Sequence, residues 1–181
     1  MDNLIQEIIE GSGCTDDLVS VAASAKNSTT QKLGADDVSA LINFATDQVI
    51  SSDVRINSNN EFEFLTIGDY QVRLQLNATM TVGGGFSRWF VFYELDTGGG
   101  FANIANMTSM KSFNTADAGE SRPVTMQTLI LNVTVANTKL RVRQQTDNAS
   151  ESVGIMAFTA GGIIPNNVPS AQIDIVKVSP A

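Results

Sequence analysis

Carboxylates, hydroxyls and a single thiol make up most of the reactive inventory of this chain, because it contains no histidine. That absence removes the commonest general base, the Ser-His-Asp and Cys-His arrangements, and most zinc sites. The one cysteine, Cys14, sits between Gly13 and Thr15 with no base to activate it, so an unreactive thiol is expected. Carboxylates do occur close together, as Asp16-Asp17, Asp36-Asp37, Asp117 with Glu120, and Asp147 with Glu151. Glycoside hydrolysis needs two carboxylates on opposite sides of a sugar bond. Adjacent acids in loops and at helix starts instead suit the capping of backbone N–H groups. Asp147, Asn148 and Glu151 offer the loop oxygens that Ca²⁺ takes, but their spacing is not specific to a cation. No catalytic residue, no metal ligand and no cofactor are expected, and the chain reads as a non-enzyme.

The glycine triplets Gly83–Gly85 and Gly98–Gly100 are not followed by Lys-Ser/Thr and open no helix. They are not phosphate loops and read as turns that need positive φ. Net charge is −8. Only Lys139, Arg141 and Arg143 place basic residues on one strand face, a weak footprint for nucleic acid, so no nucleic-acid partner is expected. The N-terminus is acidic and breaks its apolar run at Gln6 and Glu7, unlike a secretory signal. No run approaches the roughly 20 apolar residues of a membrane helix. A soluble chain with no membrane partner is expected. The sequons at Asn27, Asn77, Asn106, Asn132 and Asn148 then read as by-products of a composition rich in Asn, Ser and Thr.

The elements that would carry these residues fall into two regions. Residues 1–52 read as a helical arm. Leu4, Ile5, Ile8 and Ile9 form the stripe of a short helix that Gly11 ends. Asp16 caps a second helix carrying Leu18, Val19, Ala22 and Ala25. Asp36 caps a third carrying Val38, Leu41, Ile42, Ala45 and Val49. From residue 53 to 181 the period becomes two. "GDYQVRLQLNATMTV" alternates without a slip from Tyr70 to Val82, and its polar face holds one charge, Arg73, which suggests a face that meets another protein. "FSRWFVFYEL" is apolar on both faces in its middle, as in a strand covered on both sides. "PVTMQTLILNVTV", "TKLRVRQQ", "SVGIMAFT" and "AQIDIVKV" follow, separated by turn signals. The fold expected is mainly β, an antiparallel jelly-roll sandwich of about eight or nine strands with a short N-terminal helical arm.

The Gly68-x-Tyr70 entry to a long strand, the aromatic strand Trp89–Tyr93, the alternating pair from Leu129 to Val142 and a last strand near the C-terminus resemble the tumour-necrosis-factor-like jelly roll shared with complement globular heads. The resemblance covers roughly Glu61 to Val178. It implies a homotrimer, and bacteriophages use similar domains in head fibres and decoration proteins.

The function expected from this is structural: a trimeric capsid decoration (cement) or head-fibre protein of a phage virion, on the capsid exterior and assembled in the host cytoplasm. Its partner would be the major capsid protein. Leu4, Ile5, Ile8 and Ile9 are the capsid-anchoring candidates, and Trp89, Phe90, Phe92 and Tyr93 the trimer-interface candidates. The alternative is a receptor-binding tip that recognises host surface glycan through the stretch from Gly98 to Arg122. There Phe101, Ile104, Met107, Met110 and Phe113 recur about every third residue, a pattern equally open to an extra strand or a clasp on a neighbour.

Overall fold

The structure is a computed structural model that describes residues 20–44, 46–81, 85–114, 116, 121–158 and 168–178. Among these, two antiparallel sheets face one another. The strands are β1 (Ser20–Asn27), β2 (Gln31–Lys32), β3 (Ala40–Leu41), β4 (Thr46–Ile50), β5 (Val54–Ile56), β6 (Phe62–Phe64), β7 (Gly68–Met80), β8 (Ser87–Asp96), β9 (Ala102–Phe113), β10 (Ser121–Thr125), β11 (Leu129–Val133), β12 (Thr138–Thr146), β13 (Val153–Ile155) and β14 (Ala171–Lys177). The first sheet runs β2-β13-β7-β14-β1-β4, with β10 and β11 along the other edge of β7. The second runs β5-β6-β12-β8-β9, with β3 beside β12.

The alternating ribbon is the axis of the first sheet. Tyr70, Val72, Leu74, Leu76, Ala78 and Met80 are all buried and face the second sheet. Their period of two places every one on the same side of a pleated strand. Leu76 pairs with Val124 on one side and Ala171 on the other, so β7 is bonded along both edges. From the second sheet come Trp89, Val91, Tyr93, Leu140, Val142, Phe62 and Phe64. The rings pack edge to face, Phe64 on Tyr70 with centroids 4.8 Å apart and Phe44 on Phe62 at 5.5 Å. The buried Trp89 indole donates to Gln144 Oε1 at 3.0 Å, which removes the cost of an orphaned donor in the core.

The sandwich agrees with the expected fold, but the helical arm does not survive within the described residues. Residues 20–50, expected to belong to helices, supply four strands. Ser20–Asn27 carries alanines that favour a helix in isolation, yet it is paired with β14 on one side and β4 on the other. Tertiary pairing here outweighs helix propensity, a small term of tenths of a kcal/mol per residue. A register shift between Val21 and Ala23 buries both Ala22 and Ala23, and so hides the period of two. Among the side chains of the expected third helix described up to residue 44, the buried ones are Ile42 and Phe44, two apart, with the half-buried Ala40 before them. The helical spacing read through Val38, Leu41, Ile42, Ala45 and Val49 left out Phe44. Asp37 adopts φ 55°, which turns the chain before β3 rather than starting a helix. Leu4, Ile5, Ile8 and Ile9, and Cys14, lie outside the described residues.

Two further expectations change. The strand "FSRWFVFYEL" is not covered on both faces: Ser87, Trp89, Val91 and Tyr93 are buried, while Phe90 and Phe92 are only half-buried on the outside. Within the stretch from Gly98 to Arg122, offered as a glycan-binding loop or equally as an extra strand, 12 residues take the strand option: they form β9, an edge strand paired with β8, with a bulge where Asn106 takes φ 61°. The turn between them is made as its glycines suggest. Gly98 and Gly100 have φ of 112° and 98°, and their N–H groups donate to the Asp96 carboxylate at 2.7 and 2.9 Å. Those backbone donors hold Asp96 below the usual carboxylate range.

Candidate functional site

The outer face of the second sheet is built by strand parity. Phe86, Arg88, Phe90, Phe92 and Glu94 alternate with the buried residues of β8, so they share its outer side. Register brings Met110 of β9 opposite Phe90 and Thr108 opposite Phe92. Phe86 is 56% exposed and Met110 57%. An open groove of about 360 Å³ runs between Phe90 and Phe92, with Asp37, Arg88, Thr108, Gln145 and Asp147 around it.

The arginines on this face are partnered. Asp147 accepts the Arg88 backbone N–H at 2.7 Å and its guanidinium Nε–H at 2.6 Å. Partial burial works to raise the Asp147 pKa, but those bonds and the nearby guanidinium outweigh it and hold the carboxyl below its usual range. Arg141 pairs with Glu94, and its guanidinium lies 3.7 Å from the centroid of the Phe101 ring. Arg143 donates to the Ser39 carbonyl at 2.6 Å. Lys139 stands in register with Glu63 on one side and Asp96 on the other. The three basic residues of β12 therefore lie among acids and acceptors rather than forming an open cationic stripe.

The structure separates the four interface candidates. Trp89 and Tyr93 are fully buried in the protein's own core, so a subunit contact cannot reach them; Phe90 and Phe92 point outward. The Tyr93 hydroxyl finds no partner, and burial pushes its pKa up. Sequence reasoning missed Phe86, and it named Met110 only within the pattern of residues 98–122, not beside Phe90. The parity of Phe86 with Phe90 could have found the first; the second required the β8–β9 register.

Asp147, Asn148 and Glu151 do not converge on a cation position. Asp147 is held by Arg88. The Asn148 side-chain oxygen accepts the Ser150 hydroxyl at 2.5 Å. Glu151 is buried in a single 3-10 turn, where a Cβ on Gly85 would lie 3.2 Å from its Oε1. Among the described residues no group of three His, Cys, Asp or Glu gathers as metal ligands.

A polar cluster also joins the sheets at the start of β7. The Thr66 hydroxyl donates to Asp53 Oδ1 at 2.5 Å, and Lys177 Nζ donates to Asp53 Oδ1 at 3.0 Å and to Thr66 Oγ1 at 2.9 Å. A hydroxyl beside a lysine suggests nucleophile activation, which needs the amine to accept a proton. Here the Thr66 proton is directed to Asp53, and the ammonium donates to both partners. The geometry is that of a latch between the segment before β5 and the end of β14. The Thr66 hydroxyl is the main influence that holds Asp53 below the usual carboxylate range, with Lys177 adding to it against partial burial.

Comparison with known proteins finds no family model that matches the chain and no matching curated protein. Solved structures do match. One is the structure of Eiger TNF from S. frugiperda, with a TM-score of 0.55 and 13% sequence identity over 89% of this chain and 94% of that one. At that identity the likeness is one of fold. With the sheet order above, it defines the class: a TNF-like antiparallel β-sandwich.

Proposed function

We propose that this chain is a structural virion protein, a homotrimeric capsid decoration (cement) or head-fibre protein that attaches to and stabilises a phage capsid. The observation that carries the reading is the outer face of the second sheet, where Phe86, Phe90, Phe92 and Met110 lie beside Arg88. Aromatics, Met and Arg are the residue types enriched where protein surfaces meet, and clustered exposed apolar groups mark such surfaces. Phe90 and Phe92 are the subunit-contact residues in this reading. Leu4, Ile5, Ile8 and Ile9 are the capsid anchor, where burying each Leu or Ile side chain would contribute roughly 1.5–3 kcal/mol. Three arms on one trimer gain further by linked binding.

A non-enzymatic role is supported by the absence of histidine and by a latch geometry that commits the Lys177–Thr66 pair to structure. Neutralised cations on β12 support a protein partner over nucleic acid. One cysteine and an acidic, Asn- and Thr-rich surface suit a virion part assembled in the host cytoplasm and displayed on the capsid exterior.

Sedimentation of the purified chain with capsids of the virus that encodes it tests the reading. Saturable binding in hundreds of copies per particle is expected, and it should be lost when residues 1–12 are removed. Unchanged binding by the truncated chain would falsify the anchoring role, and no binding by the full chain would remove the capsid reading itself.

A further inference from the structure

We propose that this protein meets the capsid end-on, through an apolar tip formed by Ile67, Val135 and Val178; the inference rests on the capsid reading and gives it a docking surface and an orientation. Strand pairing builds the tip from three segments. Gly68, which opens β7, stands opposite Val133, which ends β11, so Ile67 and Val135 lie just beyond that pair at one end of the first sheet. On the other edge of β7 the Val178 N–H donates to the Asp69 carbonyl at 2.8 Å, which sets Val178 beside the same turn. At the usual strand spacing the three side chains span roughly 10 Å. They are 47%, 52% and 38% exposed. Behind them Phe64, Tyr70 and Val133 already close the core, so the sandwich leaves these apolar groups in water. The turns that carry them are tied down. The Tyr70 hydroxyl donates to the Thr66 carbonyl at 3.0 Å, the Leu65 N–H to the Asp53 carbonyl at 2.7 Å and the Thr138 hydroxyl to the Val135 carbonyl at 2.7 Å. A tip held in this way gives up little conformational freedom when a partner covers it.

The place where the chain enters the fold selects the occupant. Ser20, the start of β1, stands opposite Lys177, one residue before Val178. The nineteen residues ahead of Ser20 therefore join the sandwich beside the tip, and they carry Leu4, Ile5, Ile8 and Ile9. A capsid surface that grips those residues is drawn against this end, and arm and tip then bind as linked contacts. The chemistry of the tip suits an apolar depression on a coat protein rather than a charged one. Lys177 and Asp53 neutralise each other at 3.0 Å, and Asp69 accepts the Asn132 amide at 2.6 Å. The opposite end is different in kind. Asp36, Asp37, Asp147 and Glu151 gather there, tied together where the Ala149 N–H donates to Asp36 Oδ1. In a chain of net charge −8 that acidic end suits solvent, and it points away from the particle when the tip is seated. End-on docking also leaves the outer faces of both sheets free for contacts between copies of the chain.

The test is a capsid co-sedimentation titration of the full chain, of the double variant Ile67→Ser with Val135→Ser, and of the control Val38→Ser at the acidic end, where Val38 is 59% exposed. All three sites are exposed, so unfolding temperatures should stay within a few degrees of the parent. The tip variant should bind capsids about ten-fold more weakly with its native mass unchanged, and the control should bind as the parent does. In the unsubstituted chain, hydrogen exchange on capsids should slow at residues 65–67 and 134–137 and not at 36–38. Undiminished binding by the tip variant, or protection at 36–38 instead, overturns the tip and leaves the capsid reading standing; no binding by the parent removes both. A tip variant of lower native mass also overturns the proposal, because the tip would then join copies of the chain. So does a fall in the free protein's unfolding temperature on removal of residues 1–12 that disappears in the tip variant, because the arm would then cover its own tip.

Discussion

Gly154→Ala should be among the more damaging single substitutions in this protein, although it adds one methyl group. Gly154 lies in β13, opposite Lys32 of β2. A Cβ at this position would sit 2.2 Å from the Gln31 carbonyl oxygen and 2.9 Å from Lys32 Cα. Both atoms are backbone, so no rotamer change relieves the clash. Reaching an ordinary carbon–oxygen contact requires a shift of about 1 Å. If the sandwich absorbs that shift as overpacking, the cost is about 1–3 kcal/mol. If β2 separates instead, the bonds of a two-residue pairing go with it, along with Leu33 N–H to the Val153 carbonyl at 2.9 Å and Lys32 Nζ to the Ser152 carbonyl at 2.8 Å. At about 1 kcal/mol per net hydrogen bond, that route also costs about 2–3 kcal/mol. For a chain of this size the melting temperature should fall by roughly 5–10 °C. The assay is thermal and urea unfolding at one protein concentration, with Gly34→Ala as control because nothing lies within 4 Å of a Cβ there. The control should stay within about 0.5 kcal/mol of the parent. A Gly154→Ala protein as stable as the control would refute the β2–β13 pairing, and with it the place of residues 31–32 in the first sheet.

Three other outcomes follow from the packing. Trp89 is the chain's one tryptophan, fully buried and bonded to Gln144, so native fluorescence should be blue-shifted and resist iodide; Trp89→Ala should cost about 3–5 kcal/mol in urea unfolding. The folded-state pKa of Asp53 lies below the usual carboxylate value, so its contribution is present above the unfolded pKa and is lost as pH falls through the folded pKa. Asp53→Asn should therefore be less stable at pH 7 and show a shallower loss of stability on acidification, read by unfolding at a series of pH values; parallel curves for the two proteins would contradict the latch. Phe90→Ser with Phe92→Ser should shift sedimentation toward the monomer while leaving the unfolding temperature within a few degrees, since neither side chain belongs to the buried core.

The parts of the fold that could be read from residues alone are those where one face is buried and the strand is long. Tyr70 to Met80 shows its inner face directly, because six buried apolar residues alternate with polar ones. The β12 pattern is equally plain, with Thr138, Leu140, Val142, Gln144 and Thr146 all inward. The reading failed where strands are short or interrupted. β3 has two residues, too few to display a period, and a register shift in β1 places two buried alanines side by side. β9 stayed one option among several because its bulge at Asn106 breaks the alternation. On the outer faces, residue type alone could not separate Trp89 and Tyr93 from Phe90 and Phe92; parity within β8 does so once the direction of one ring is known.

The native mass of the purified full chain, measured in solution across a range of concentrations, tests the central claim of a self-assembling virion module most directly. A species of three times the 19.3 kDa chain mass that persists on dilution is predicted. A 19.3 kDa monomer at every concentration would contradict it.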